Sequence, residues 1–266
     1  MSWKRIKTFL IVLFLIINLY LVFSTDVLKM RSTTNFDTEN VSNTVEVVKN
    51  NFGISIDEDD IFSEIQNLNI IDVDNIIFTQ KFSSKYNPEL TSSGFEVNIV
   101  TTTSSYNEDN ARREMVSVLN NMGIDESTFT LYFDNTDSGL VCTVTEHINK
   151  YPIFNGKIKA VFSSQNIKMS GSWFLVKTKS VESSDTSIKM ADICGVLIDM
   201  AALSSSDSSK IPSVVTQIDY GYYVGSYDEN VVSKTASAVP CYMIATDIGS
   251  KYYYDATNGI LLKQED

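Results

Sequence analysis

The sequence is poor in proline, glycine, histidine and cysteine. Its 266 residues include 4 Pro, 11 Gly, one His and 3 Cys. So few prolines and glycines exclude a collagen-like chain or a Pro/Gly-rich linker. Cations are also scarce, with 21 Lys and Arg against 33 Asp and Glu, a net charge of −12. This balance argues against a nucleic-acid partner, because binding phosphates requires a basic face. The hydrophobic fraction, 43%, is that of an ordinary globular chain, and the length favours one or two domains.

Residues that carry catalysis or bind metals form no motif. A base for a Ser–His or Cys–His pair would have to be His147, and neither G-x-S-x-G nor S-x-x-K occurs around any serine. Cys142, Cys194 and Cys241 lie about 50 residues apart, without the C-x-x-C spacing of a zinc site. Dinucleotide and Walker fingerprints are missing too. We therefore expect no enzyme activity, no cofactor and no metal; His147 is interpreted as a partly exposed strand residue and the cysteines as buried small hydrophobes, with their pairing left open.

The N-terminus has the pattern of a membrane anchor. Lys4, Arg5 and Lys7 precede the first carboxylate, and Phe9–Phe23 contains one strongly polar residue, Asn18. Fifteen helical residues span roughly 23 Å, and Ile6–Thr8 would extend this to about 27 Å, close to the thickness of a bilayer core. The basic cluster predicts a cytoplasmic N-terminus by the positive-inside rule, so the body would lie outside the cell.

Two aromatic residues, Trp3 and Tyr20, lie near opposite ends of the segment, where their rings favour the membrane interface. The alternative is a cleavable signal peptide, with small residues near Val22–Ser24 at the cleavage site. Both interpretations export the body. They remain open at this point, and the retained anchor over residues 1–23 is the one adopted here.

Asn18 suggests how such an anchor would work. An amide in hydrocarbon requires a hydrogen-bonding partner, and a second helix can supply one for about 0.6–2 kcal/mol. The predicted contact stripe lies on the same side of the helix and consists of Ile11, Phe14, Leu15, Asn18 and Val22. The other interpretation is an asparagine tolerated near the outer interface.

After a polar linker, residues 24–37, the body is predicted to contain two domains, residues 38–150 and 151–266. Helices are predicted from Thr38 to Gly53, over Glu108–Met122 with Asn107 as cap and Gly123 as stop, and over Ser187–Leu203. Strands are predicted at Ile70–Phe82, Phe95–Thr102, Thr128–Phe133, Leu140–Ile148, Lys157–Phe162, Met169–Val181, Val214–Val224, Ala238–Thr246, Lys251–Asp255 and Ile260–Leu262. The predicted fold is α+β: a transmembrane helix followed by two small domains, each with a helix on an antiparallel sheet.

Several stretches resemble the YycH/YycI family of membrane-anchored regulators. They are Met1–Thr8 leading directly into the apolar segment, Tyr151–Asn155 before a strand pair, Gly221–Tyr223, Pro240, and Tyr252–Ala256 followed by Asn258-Gly259. The last stretch also resembles the end of PepSY-like modules. The sequence departs from the family at Pro240-Cys241-Tyr242, where a tryptophan is expected two residues after the proline.

The resemblance implies a non-enzymatic regulator of a cell-wall sensor histidine kinase. It further implies contacts through the transmembrane helix with the kinase and with a YycH-like partner, a cell-membrane location, and a PepSY-like second domain. Homo- or hetero-oligomers would both be compatible with this role. The alternative function is an exported PepSY-like module that binds peptide or cell-wall material.

Overall fold

The computed structural model describes residues 38–61, 68–91, 94–136, 139–177, 190–206, 211–225 and 234–265. The predicted anchor and linker, residues 1–37, lie outside this set. Within the described part of the chain, none of the helices combines the length and the apolar character needed to cross a membrane.

The helices are α1 (Thr38–Phe52), α2 (Gln80–Tyr86), α3 (Glu108–Met122) and α4 (Ile193–Ser206), with short 3₁₀ helices at Glu58–Asp60, Ile76–Phe78 and Glu126–Thr128. The strands are β1 (Ile71–Asn75), β2 (Glu89–Thr91), β3 (Gly94–Val100), β4 (Phe129–Thr136), β5 (Gly139–Ile148), β6 (Tyr151–Ser163), β7 (Asn166–Gly171), β8 (Phe174–Val176), β9 (Val215–Gly225), β10 (Thr235–Thr246), β11 (Lys251–Asp255) and β12 (Leu261–Glu265). The fold is α+β, as predicted.

The N-terminal sheet region has the antiparallel strand order β4-β5-β6-β7-β3-β2. Helix α3 belongs to its core and buries Ala111, Met115, Val118, Leu119 and Met122. The helix begins with a capping box, in which Asn110 N donates to Asn107 Oδ1 (2.9 Å) and Asn107 N donates to Asn110 Oδ1 (2.8 Å). It ends at Gly123, whose φ of 92° is left-handed. Both predicted ends of α3 are confirmed.

The C-terminal sheet region has the order β12-β11-β10-β9. The first half of β10 pairs with β1, and β1 pairs in turn with β8. One face of this region forms a core with α1 and α4, which includes Val48 of α1 and Leu197 of α4. This core is separate from the one under α3.

Strand β6 joins the two regions. It lies between β5 and β7 in the N-terminal region, and its first residues reach β9, where Ile153 pairs in parallel with Tyr222. All twelve strands therefore form one continuous mixed sheet. The structure differs here from the expected pair of separate antiparallel sheets, because β1 joins the C-terminal region and β7 joins the N-terminal one. The domain boundary at residue 151 stays a prediction, and it coincides with the first residue of the shared strand.

Two predicted strands are broken in the structure. The expected strand Ile70–Phe82 ends at Asn75, whose side-chain Oδ1 accepts a hydrogen bond from Ile77 N (3.2 Å) and so starts a 3₁₀ helix. The expected strand Met169–Val181 is interrupted after Gly171, and β8 follows. The first break depends on a local side-chain hydrogen bond, which hydrophobic alternation does not encode.

The helix expected over Ser187–Leu203 begins at Ile193, with Asp192 Oδ1 accepting from Cys194 N at 3.0 Å. Residues 178–189 lie outside the described ranges. Ile193, Cys194, Leu197 and Ala201 of this helix are buried, and so is Met190 just before it.

Candidate functional site

The predicted functional residues belong to the anchor and lie outside the described residues. They are the topology residues Trp3, Lys4, Arg5, Lys7 and Tyr20, and the helix-contact residues Ile11, Phe14, Leu15, Asn18 and Val22. Their roles stay predictions. Within the ranges that the structure describes, no group of three or more His, Cys, Asp and Glu side chains is arranged to hold a metal.

The environments of the three cysteines and of the histidine agree with those expected from the sequence. All three cysteines are free and buried, and burial raises the pKa of the Cys142 thiol to about 12. His147 is a partly exposed residue of β5. Burial lowers its pKa, so its imidazole is neutral at neutral pH, and Nδ1 has no hydrogen-bond partner among the described residues.

A large bulge interrupts the β5–β6 pairing next to His147. Thr145 pairs with Lys157 and His147 pairs with Pro152, so residues 153–156 of β6 oppose Glu146 alone. The bulge allows the first part of β6 to leave β5 and approach β9. We call residues 146 and 153–156 the strand junction.

A carboxyl group is buried at the strand junction. Glu146 is 2% exposed, and its Oε2 accepts a hydrogen bond from the Phe174 amide at 3.0 Å. A Cβ on Gly156 would lie 2.6 Å from Oε2, so the absence of a side chain there makes room for the carboxyl group. Burial raises the pKa of Glu146 well above its usual range, and the amide hydrogen bond opposes this only in part. Burial therefore favours the neutral form of the Glu146 carboxyl group, which fills the junction.

Asn155 connects the junction to the C-terminal region. Its Nδ2 donates to Val224 O at 2.8 Å, and its Oδ1 accepts from Val224 N at 3.0 Å. The side-chain amide thus replaces the peptide group of a neighbouring strand. It extends the pairing between β6 and β9 beyond Ile153.

The second face of the C-terminal region carries both charged and aromatic side chains. This outer face consists of alternate residues of β9, β10, β11 and β12, which include Gln217, Asp219, Gly221, Tyr223, Val239, Cys241, Met243, Ala245, Lys251, Tyr253, Asp255, Lys263 and Glu265. Met243 lies between Asp219 and Tyr253 in the cross-strand register. In the next row, Ala245 lies between Gln217 and Lys251. Residues directly opposite each other in such rows have neighbouring side chains on one face.

Aromatic rings cover part of the outer face. The Phe154 ring centroid lies 5.7 Å from that of Tyr253, and Tyr223 lies 5.4 Å from Tyr253 on another side. Phe154 reaches this position across Gly221, where a Cβ would lie 2.3 Å from Pro152 O and 3.2 Å from Phe154 Cζ. Gly221 is thus required by the close approach of β6. The small cluster of buried residues here comes from strands alone, with Cys241, Met243 and Ala245 beneath the rings.

Charged side chains adjoin the aromatic cluster: Lys157, Asp219, Lys251 and Glu265 influence one another electrostatically, and Lys263 pairs with Tyr253 in the cross-strand register. Burial lowers the pKa of Lys157; Lys251 acts in the same direction, while the Asp219 and Glu265 carboxylates oppose it. Burial likewise raises the pKa of Asp219, against the attraction of the two lysines. The pKa values of Lys157 and Asp219 are thus each affected by burial and by nearby charged side chains.

The Asp219 and Glu265 carboxylates accept side-chain hydrogen bonds, whereas the two lysine ammonium groups lack such bonds with described residues. Gln217 Nε2 donates to Asp219 Oδ2 at 2.7 Å, and Tyr253 OH donates to Glu265 Oε2 at 3.0 Å. The ammonium groups of Lys157 and Lys251 make no hydrogen bond and no ion pair within 4.0 Å with any residue that the structure describes. Lys157, Asp219 and Lys251 are thus partly buried charges beside aromatic rings, whereas Glu265 is exposed.

Sequence reasoning missed this face. The alternating residues of β9 to β12 are visible in the sequence. Lys157, however, belongs to β6, and it reaches the outer face only because of the strand junction.

No family model matches the chain, and no curated protein matches it. Among solved structures, an uncharacterized protein from Eubacterium rectale is similar with a TM-score of 0.44 and 11% identity, covering 79% of this chain and 89% of that one. The C-terminal domain of YpeB from Bacillus megaterium is similar with a TM-score of 0.31 and 16% identity, covering 62% of this chain and 67% of that one. Both scores are below 0.5, so the α+β assignment depends on the strand pairing and helix packing described above.

Proposed function

We propose that this protein is a non-enzymatic, membrane-anchored regulator of a sensor histidine kinase, with a cytoplasmic N-terminus and an extracellular body. The observation that carries the proposal is the pattern of residues 1–23: a basic tip, then an apolar segment with one amide, ahead of an α+β body. The family resemblance of the N-terminal octet and of the C-terminal strands supports it.

The proposed mechanism is a shift in population between the signalling states of the kinase. The anchor contacts the transmembrane helices of the kinase and of a YycH-like partner, and stabilises one state over the other. This requires different affinities for the two states, because a helix that binds both equally shifts nothing. The extracellular body would then set whether those contacts form.

The test replaces residues 1–23 by an unrelated single-pass segment of the same orientation. We expect the exchanged protein to reach the membrane but to lose co-purification with the kinase and its effect on a reporter of the kinase's target genes. If deletion of the whole gene leaves that reporter unchanged, the proposal is wrong.

A point variant tests the contact stripe. Asn18→Leu should weaken helix pairing in a membrane two-hybrid assay, because the interhelical amide hydrogen bond is lost. Leu13→Ala, on the opposite side of the predicted helix, is the matched control and should leave pairing intact. Equal pairing of Asn18→Leu and the unaltered chain would remove Asn18 from the mechanism.

The outer face favours a second candidate, an exported PepSY-like module that binds a ligand. Its partly buried charges beside aromatic rings support binding by the body itself. The anchor exchange separates the two candidates, since a ligand-binding body would keep its effect on the reporter with a foreign anchor.

A further inference from the structure

We propose that strand β4 is an interaction surface, at which a second copy of this chain adds its own β4 in antiparallel orientation. The two strands are related by a two-fold axis at Tyr132, so that the sheet continues from one copy into the other. The pairing uses the body of the protein and does not depend on either proposed function.

Strand β4 is the longest edge strand that the structure describes. Four strands have a single neighbour among the described strands, namely β2, β4, β8 and β12. Strands β2 and β8 have three residues each and β12 has five, whereas β4 has eight. In an antiparallel ladder, every second residue of such a strand directs its amide and carbonyl groups away from its neighbour. The outer side of β4 therefore offers a row of donors and acceptors to another strand.

Strand β4 lacks the features that commonly prevent edge strands from pairing, which are lysine, proline, a bulge or short length. Strand β12 contains Lys263 and shows a register shift after Tyr253 of β11. Strand β4 contains neither lysine nor proline, and it pairs with β5 without a register shift. Arg112 of α3 lies 4.9 Å from the centre of the Phe133 ring and pairs with Glu108 at 3.0 Å, so this cation lies on the helix side of the sheet.

The sequence of β4 matches its own copy. Two-fold pairing centred on Tyr132 places Leu131 opposite Phe133 of the second copy, and both side chains are only partly buried within one copy. The apolar face of the sheet thus extends across the new pair of strands. On the other face Asp134, the only charged residue of β4, lies opposite Thr130 of the second copy, whose hydroxyl can donate to it. Like charges do not meet in this register.

Other arrangements match less well. A two-fold axis at Phe133 would place Leu131 opposite Asn135 and would break the apolar face. The axis at Tyr132 instead brings together two rings that are each 69% exposed in one copy, so both lose contact with water. A foreign peptide would have to supply this match by its own sequence, whereas a second copy supplies it by symmetry.

Disulfide cross-linking in membranes that contain the full-length protein tests the pairing. Residues directly opposite each other in an antiparallel pair lie within reach of a disulfide. We expect Tyr132→Cys to form a covalent dimer on mild oxidation. Thr130→Cys and Asp134→Cys should each give little dimer alone but a mixed dimer when co-expressed, because these positions oppose each other. Val100→Cys, 80% exposed on β3, is the control for random collision, and the three native cysteines are buried.

Three outcomes of the cross-linking would overturn the proposal. The first is an equal yield of dimer from Tyr132→Cys and Val100→Cys. The second is a Tyr132→Cys product that contains a different protein, since the edge would then belong to another partner. The third is a Tyr132→Cys dimer without the mixed dimer of Thr130→Cys and Asp134→Cys, which would exclude the antiparallel register.

A charge placed at the axis provides an independent test. Adding Tyr132→Lys to both chains of the mixed dimer sets two ammonium groups opposite each other and should lower its yield roughly fivefold. Asn135→Lys adds the same charge to the same strand, opposite Phe129, and should change the yield by less than about twofold. Both positions are exposed, so both variants should fold. An unchanged yield with Tyr132→Lys, or equal losses from the two lysines, would refute an axis at Tyr132.

Discussion

At the scale of single residues, Glu146 is the clearest departure from what composition predicts. A chain with 33 acidic residues is expected to keep them in water, yet this carboxyl group is buried at the strand junction. There it accepts a hydrogen bond from the Phe174 amide, and burial raises its pKa. The sequence carries no signal for this, because Glu146 occupies an ordinary position in a strand pattern, and only the residues opposite it reveal the bulge.

This burial predicts a specific dependence of stability on pH for Glu146→Gln. The pKa of Glu146 is raised in the folded protein, so in the unaltered chain the unfolded state ionises first as pH rises above the usual range of a glutamate. That ionisation lowers the free energy of unfolding progressively until the folded-state pKa is passed. Glutamine cannot ionise and still offers an oxygen to the Phe174 amide. The variant should therefore gain stability relative to the unaltered protein as pH rises.

Urea unfolding of the two full-length proteins at about pH 5 and about pH 8 measures the difference. Comparison at each pH cancels the titration of the other carboxylates. A difference that does not change between the two pH values would mean that Glu146 ionises normally in the folded protein, contrary to the burial described above.

At the scale of elements, helices were easier to predict than the connections of the sheet. The ends of α3 follow from Asn107 and Gly123, since caps are local and visible in the sequence. Most strands follow from alternation and turn residues. What alternation cannot give is which strands pair, because that depends on contacts distant in sequence. The pairing of β6 with strands of both regions and the pairing of β1 with β10 both depend on such distant contacts. The outer face in turn depends on these pairings.

Asn155 tests this long-range connection. Asn155→Ala removes both hydrogen bonds to Val224 and leaves a backbone donor and acceptor of β9 without that partner. The free energy of unfolding should fall by about 1–3 kcal/mol. Amide exchange should also accelerate at Val224, which locates the effect. Asn98→Ala, on an exposed position of β3, should change stability by less than about 0.5 kcal/mol. Equal effects of the two variants would show that Asn155 does not hold the regions together.

At the scale of the whole molecule, the question is whether the two sheet regions unfold together. The domain division predicted at residue 151 treats them as separate units, whereas the structure places one thirteen-residue strand in both. A strand shared in this way couples unfolding, since loss of β6 would remove a central strand of the N-terminal region and the contacts of Ile153 and Asn155 with β9. The N-terminal and C-terminal cores nevertheless have different members, so each could in principle open alone.

The three cysteines report on this directly, because each belongs to a different cluster. Cys142 lies in the core with α3, Cys194 in the core between α1 and α4, and Cys241 beneath the outer face. All are buried with raised thiol pKa values, so a maleimide reagent should leave the native full-length protein unlabelled and modify three sites in urea. Mass spectrometry across a urea series should find the three sites becoming reactive at one midpoint, because β6 couples the regions. The contrary result would be a urea midpoint for Cys142 that differs clearly from the midpoint shared by Cys194 and Cys241. In that case the two regions unfold as independent domains despite the continuous sheet. The junction would then be a flexible link between them rather than a structural coupling.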